Sequence, residues 1–317
     1  MKRILVTGSR GTLGRPLVAE LRHRGYLVRG IDLFHGDDGD YRRADVGSFR
    51  QVERVLADDY DYVYHLAAES GRSNGEGHYE EVWRTNVVGT RNILEMQVRR
   101  GFGLIMASSS EVYGDRGDIA LDEGLTDRAP VFPPDDHAVS KWVNELQAMN
   151  FTKRFGSAVV RVRLFDCYGP GETYHPRRGP VCVFCHHALT GRPFDVHRDC
   201  HRTFMYVDDL IPSLANVVEN FKPGQVYNLG GRDHRSLEEL AAIVLAATGA
   251  DPALAIPRER LFPIVPGARP DITRAARDLG HDPRVRLEEG VQRTVDWLRC
   301  ERRSCRERPV ERRHPRL

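Results

Sequence analysis

The chain has 317 residues, with 47 Lys and Arg against 45 Asp and Glu, a net charge of +2, and 40% hydrophobic and 29% charged residues. Charge this close to neutral gives no field to draw nucleic acid or an anionic membrane, and neither partner is expected; the length allows a large core and a second lobe. No apolar run approaches the roughly 20 residues that span a bilayer, and a strand begins at once, so a cytoplasmic protein with cysteine thiols is expected.

The first element is the stretch Lys2–Gly14, KRILVTGSRGTLG. Ile4-Leu5-Val6 reads as a strand buried on both faces, and Leu13, Leu17, Val18 and Leu21 read as the apolar stripe of a helix. Between them Gly8, Gly11 and Gly14 keep the spacing G-x-x-G-x-x-G. Strand, glycine turn and helix in that order make a phosphate cradle, with the helix N-terminus facing the anion. Gly8, Arg10, Gly11, Thr12, Leu13 and Gly14 are therefore expected to hold a dinucleotide. A second apolar run, Tyr26–Ile31, ends in Asp32. An acid there accepts from the ribose hydroxyls and repels a 2′-phosphate, which favours NAD over NADP.

Further along, Phe34–Arg43 reads as a polar loop and Phe49–Leu56 as a helix. Tyr62–Leu66 is a strand, Tyr79–Arg99 a long helix, and Leu104–Ala107 a strand running into Ser108-Ser109-Ser110. His137–Phe155 is a helix and Ala158–Leu164 a strand. This alternation predicts an α/β fold, a doubly wound Rossmann parallel sheet with helices on both faces. Past Tyr168-Gly169-Pro170-Gly171 the elements shorten. Residues 1–170 are expected to form the dinucleotide domain, its sheet completed by about 203–248 through Val207–Asn220, Val226–Leu229 and Ser236–Ala247. Residues 171–202 and 252–298 are assigned to a smaller, interleaved substrate lobe that ends in the helix Leu287–Leu298. The basic segment 299–317 lacks apolar periodicity and is expected to be disordered.

Taken together, these motifs resemble the extended short-chain dehydrogenase/reductases of the nucleotide-sugar epimerase/dehydratase branch. The matching pieces are Thr7-Gly8-x-x-Gly11-x-x-Gly14, Asp32, Asp45-Val46, His65-Leu66-Ala67-Ala68 and Asn86-Val-Val-Gly89-Thr90. They continue with Ser108-Ser-Ser-Glu-Val-Tyr-Gly114, Ser140-Lys141, Tyr168-Gly-Pro-Gly171, Arg202-Thr-Phe-Met-Tyr-Val-Asp-Asp209 and Tyr227-Asn-Leu-Gly-Gly231, reaching nearly the whole chain. The resemblance implies bound NAD, lined also by Asp45, Val46, Leu66, Ala67, Ala68, Asn86 and Lys141. It implies a nucleoside-diphosphate sugar as substrate, chemistry that begins by oxidising the sugar, and a homodimer through Tyr79–Arg99 and His137–Phe155.

For the oxidation the family uses a Ser or Thr at the strand end with a Tyr and a Lys spaced Y-x-x-x-K. Ser109 and Lys141 fit, but the Tyr position is His137, one helical turn before Lys141. Neutral imidazole is a competent base. Ser109-Ser110-Glu111 resembles the T-S-E of nucleotide-sugar decarboxylases and GDP-mannose-type dehydratases, which makes Glu111 a candidate base for a C3 or C5 proton. Ser110 stands where dTDP-glucose-type dehydratases carry Asp. Epimerisation is the expected outcome, with dehydration or decarboxylation as the alternative, and a non-catalytic binding protein if His137 marks a lost activity. Asp166 replaces an Asn that contacts substrate in the family, Arg202 is expected on the diphosphate, and Arg269 on the phosphates or ribose. The loop Glu69–His78 is expected to line the sugar pocket, and His65 and Tyr113 to serve the scaffold. Cys182-x-x-Cys185-His186, near His187, His197, Cys200 and His201, spells haem or zinc chemistry. It is read instead as apolar filling of a helix beside the nucleotide base, and no metal is expected.

Overall fold

In the computed structural model, which describes residues 1–36, 39–69, 75–117, 119–259 and 269–307, the first strand sets the architecture. Strand β1 (Arg3–Thr7) sends Ile4 and Val6 into one apolar cluster and Leu5 into another, all three fully buried. A strand covered on both faces needs helices on both faces. The chain supplies them with α1 (Gly14–His23), β2 (Leu27–Asp32), β3 (Tyr41–Arg43), α2 (Phe49–Val55) and β4 (Tyr62–His65). Then follow α3 (Gly75–Val82), a π-helical turn (Trp83–Val88), α4 (Gly89–Arg100), β5 (Gly103–Ser109) and a 3-10 turn (Ser110–Tyr113). After β6 (Ala120–Leu121) and α5 (Leu125–Arg128) come the long helix α6 (Asp136–Phe155), β7 (Val159–Leu164) and β8 (Cys167–Tyr168). The second half holds α7 (Pro180–Thr190), β9 (Phe194–His197), β10 (His201–Tyr206), α8 (Val207–Asn216), β11 (Val226–Leu229) and β12 (Asp233–Ser236). It closes with α9 (Leu237–Thr248), β13 (Ala255–Arg258), β14 (Arg269–Pro270), α10 (Thr273–Leu279) and α11 (Leu287–Glu307).

Seven of these strands form one sheet in the order β11-β7-β5-β4-β1-β2-β3, every pairing parallel. The order reverses between β1 and β4, so the crevice for a dinucleotide lies over their carboxyl ends. The smaller ladders β12-β10-β8, β13-β9 and β14-β6 carry the second, interleaved group of elements. No described helix is long and apolar enough to cross a membrane.

Four local expectations change. Phe34–Arg43 is not all loop: Tyr41–Arg43 pairs with Gly30–Asp32 as an edge strand, too short and polar to show a pattern. Tyr79–Arg99 is helical throughout but widens into the π turn at Trp83–Val88. Ser236–Ala247 does not return to the sheet, since α9 packs on α7 and α11. Its start is a capping box, Ser236 with Glu239. The helix expected to stop at Leu298 runs on to Glu307. Arg299 donates to the carbonyls of Ala247 and Thr248 at the end of α9, and Arg302 to Leu189 at the end of α7. Side chains that read as a basic tail thus complement two helix C-termini. Residues 308–317, positions 70–74 of the loop 69–78 and positions 260–268 lie outside the described residues, and 75–78 begin α3.

His65 ends β4 and is buried. Thr7 Oγ accepts from the Ala67 amide and lies 2.9 Å from His65 Nδ1, and His65 Nε2 lies 3.1 Å from Thr90 Oγ. Burial, with the charge of Lys141, pushes the imidazole down to about 3. The unfolded chain takes up this proton near pH 6.5 and the folded chain does not, so stability falls as pH drops from about 6.5 towards 3. The slope is at most about 1.4 kcal/mol per pH unit. We expect His65→Asn to flatten the acid limb of the thermal midpoint between pH 6.5 and 4; an unchanged slope would clear His65 of this role.

Candidate active site

The cradle is shaped by close approach. Gly8 has φ +69°, and a Cβ there would lie 2.8 Å from the Ala67 nitrogen. A Cβ on Gly14 would lie 2.1 Å from the Gly8 carbonyl oxygen. Only glycine lets the turn Gly8–Gly14 lie against Leu66-Ala67 and open the start of α1 towards an anion. At the end of β2 the Asp32 carboxylate accepts from the amides of Arg10 (2.9 Å) and Leu33 (2.7 Å). The Arg10 guanidinium lies over the Tyr41 ring, 3.8 Å from its centroid, and donates to the His35 carbonyl. This donor set and cradle fit a dinucleotide with an unphosphorylated ribose.

The other residues expected at the cofactor hold the frame of the crevice. Asp45 pairs with Arg84 and accepts from the Gly47 amide. Buried Val46 gives its carbonyl to Asn92. Asn86, carried by the π turn, is buried. Its amide oxygen accepts from Glu69 N, and its NH2 donates to the Glu69 carbonyl and to Ser140 Oγ. Ser140 Oγ in turn donates to the His137 carbonyl at 2.7 Å.

The centre of the site is the junction of β5 and α6. Ser109 Oγ accepts from the Glu111 amide and starts the 3-10 turn that carries Ser110 and Glu111. Asp135 caps α6 by accepting from the Ala138 amide at 2.8 Å. His137 sits in the first turn, only 8% exposed, and its Nδ1 lies 2.8 Å from a Glu111 carboxylate oxygen. Lys141, a turn further on, donates to the Ala107 carbonyl at 3.2 Å. Burial pushes its ammonium down to about 8, opposed by the charge of Glu111.

Beneath this junction lies a buried ion pair that the sequence did not disclose. Glu145 is fully buried one turn after Lys141. It accepts from Ser108 Oγ at 2.6 Å, from Arg163 Nη2 at 2.7 Å and from Arg161 at 3.0 Å. Arg163 also reaches the Glu123 carbonyl and Thr126, and its guanidinium lies against the Tyr113 ring. Arg161 and Arg163 alternate with valines on β7, where charge would be read as solvent-facing. Only the fold places both against Glu145.

Asp166 and Arg202, expected separately at the substrate, meet: Arg202 Nη1 lies 3.0 Å and 3.3 Å from the two carboxylate oxygens. Arg269 stands in β14, paired with Ala120 and beside β10, which carries Arg202. Glu172, not anticipated, is buried close to Asp166, and burial pushes its carboxyl up to about 7. Cys182 and Cys185 are buried thiols pushed upward by burial, and Tyr174 stacks on His186 at 3.6 Å. Among the described residues these cysteines belong to no cluster of metal-ligand side chains.

A model of the NAD dependent epimerase/dehydratase family matches residues 4–230, and the chain belongs to that family. It is similar to a UDP-N-acetyl-alpha-D-glucosaminuronate decarboxylase of Bacillus cytotoxicus, at 28% identity over 94% of this chain and 98% of that protein. It is similar to UDP-glucuronic acid decarboxylase 1 of Arabidopsis thaliana, at 31% identity over 94% of this chain and 70% of that protein. Among solved structures, the UDP-glucose 4-epimerase of Thermus thermophilus, determined in complex with NAD, superposes with a TM-score of 0.82. It shares 25% identity over 94% of this chain and 99% of that one.

The Glu145 pair yields a stability prediction. Arg163→Met leaves the buried Glu145 carboxylate with only Arg161 and Ser108 and should lower the unfolding free energy by about 2–4 kcal/mol in urea titrations. Adding Glu145→Leu should recover part of that loss. A second substitution that only adds damage would mean the pair is not one unit.

Proposed function

We propose that the protein is an NAD-dependent decarboxylase of a UDP-linked uronic acid, working through a transient 4-keto sugar. The observation that carries this reading is the hydrogen bond between Glu111 and His137 Nδ1. The sequence favours epimerisation and offers Glu111 as an independent base for a C3 or C5 proton. A carboxylate held on the imidazole serves His137 instead, which removes the support for dehydration and for epimerisation at C3 or C5. Decarboxylation needs no second base. Once C4 is a ketone, the C6 carboxylate is β to it; the C5–C6 bond breaks, carbon dioxide leaves, the electron pair passes into the enolate, and C5 then takes a proton from water before the C4 ketone is reduced. The Ser109-Ser110-Glu111 pattern and the two decarboxylases at 28% and 31% identity support this outcome over reversal at C4.

In this reading the cradle Gly8–Gly14 binds the pyrophosphate of NAD and Asp32 the adenosine ribose. NAD, when bound, would supply the acceptor, and afterwards the donor, of the C4 hydride. His137 donates from Nδ1 to Glu111, which leaves Nε2 to accept the proton of the C4 hydroxyl. The Glu111 carboxylate offsets the charge the ring then carries, as an acid does behind any histidine base. Ser109 hydrogen-bonds the C4 oxygen, and Lys141 supplies positive charge beside the nicotinamide ribose. Arg202, oriented by Asp166, and Arg269 face the diphosphate. The protein acts as a homodimer. Tyr79 and Trp83, four apart, and Leu146 and Met149, three apart, expose apolar surface on the packed pair formed by α3 with its π turn and α6.

Incubation with UDP-glucuronic acid should give a product lighter by one carbon dioxide in mass spectrometry. A product of unchanged mass with altered sugar coupling constants would replace this reading with epimerisation. His137→Phe should cut turnover by about a hundredfold or more while leaving NAD binding intact, and His137→Tyr should keep turnover. Full activity in His137→Phe would remove the imidazole from the mechanism.

Light scattering at micromolar concentration should report a dimer, and Trp83→Glu with Leu146→Glu a monomer. A monomeric natural protein would end the proposed assembly.

A further inference from the structure

Three donor groups of unlike origin converge at the start of α6. Glu111 comes from the 3-10 turn after β5, Asp135 is the helix cap, and His137 lies in the first turn. One ligand atom from each, the imidazole nitrogen and two carboxylate oxygens, lies within 4.8 Å of the other two. We infer that Glu111, Asp135 and His137 form a binding site for a divalent transition-metal ion of the zinc class, and that filling it switches the enzyme off.

Bond lengths of about 2.0–2.2 Å to nitrogen and oxygen place tetrahedral ligand atoms roughly 3.3–3.6 Å apart. The Glu111–His137 contact at 2.8 Å has to open slightly, and the Asp135 oxygen, within 4.8 Å of both other donors, has to close in by at most about 1.5 Å. Two carboxylates and a neutral imidazole bring two negative charges to a doubly charged ion. The imidazole selects among ions: zinc accepts mixed nitrogen and oxygen ligands in a four-coordinate site, whereas magnesium demands oxygen in near-octahedral order. His137 is buried, so packing holds the ring in place for a metal as it does for a proton.

The consequence for catalysis follows from the tautomer and rests on His137 acting as the base proposed above. An ion on Nδ1 replaces the proton shared with Glu111, and that proton passes to Nε2. A ring protonated at Nε2 is a donor there and cannot accept the proton of the sugar hydroxyl. Metal binding and proton abstraction are therefore mutually exclusive.

The test uses the NAD-loaded, chelator-treated full chain titrated with Zn²⁺ against a chromophoric chelator. One ion per chain is expected, with turnover of UDP-glucuronic acid falling at least tenfold at saturation and returning on addition of EDTA. Mg²⁺ at the same concentration should neither bind nor inhibit. Asp135→Asn keeps the helix cap, since Asn caps as well as Asp. Whatever its own metal-free turnover, it should bind Zn²⁺ at least tenfold more weakly, and that turnover should no longer fall when Zn²⁺ is added. Glu111→Gln should weaken Zn²⁺ binding similarly. Unchanged Zn²⁺ affinity or persistent inhibition in Asp135→Asn would place the ion elsewhere, as on the cysteine thiols, and overturn the site. If the natural protein turns over no uronic acid, the proposed reaction fails, while the Zn²⁺ stoichiometry and its loss in Asp135→Asn still decide the metal site.

Discussion

One carboxylate, Glu145, holds the active centre in register. It lies on α6, accepts from Ser108 on β5, and is clasped by Arg161 and Arg163 on β7. The residue after Ser108 is Ser109, and one turn before Glu145 is Lys141. Strand end and helix are thus locked at the point where their side chains have to converge. Burial opposes the charge on Glu145, but Arg163 and its other donors hold its carboxyl below the ordinary range. Such a pair adds little net stability over an apolar filling. What it supplies is position: the pair is satisfied in one arrangement only, and any slip of α6 along the sheet would strand a charge. The Asn86–Ser140–His137 chain repeats the device on the other side of the helix with neutral groups.

The sheet and the cradle were legible because their signals are local. Apolar runs of four to seven residues, glycines at fixed spacing and an acid at a strand end all act within one element. Boundaries came within a few residues for β1, β2, β4, α6, β7 and β11. The features that escaped are those whose meaning depends on a distant partner. Arg161 and Arg163 look like the wet side of a strand until Glu145 is placed opposite. Tyr41–Arg43 has no apolar face, so only its pairing with β2 makes it a strand. Arg299 and Arg302 read as tail because their targets are carbonyls of α9 and α7, 52 and 113 residues away respectively. The sequence names the residues of the candidate site but not its pairs. Nothing in the spacing of Glu111 and His137, or of Asp166 and Arg202, announces that they touch.

Those two contacts explain how the chain carries its departures from the family pattern. In the proposed mechanism, histidine at the Tyr position changes the charge of the base from neutral–anionic to cationic–neutral, next to a lysine and a positively charged cofactor. Alone, that would raise the cost of taking the sugar proton. With Glu111 at hydrogen-bond distance, the developing imidazolium meets a carboxylate and the sum of charges in the centre stays near what a phenol and its lysine would give. Aspartate at 166 likewise brings a negative charge to the wall proposed to face a diphosphate. It lies on Arg202, which it both neutralises and orients. The pairing uses Nη1, while the buried Nε of Arg202 has no partner among the described residues. A guanidinium has five donors in a rigid fork, so fixing one edge aims the other. Each substitution that looks like a loss in the linear sequence is therefore matched, within about 3 Å, by a group of opposite charge. A site decaying without function has no reason to conserve charge in this way, which is the structural argument for reading His137 as a working base.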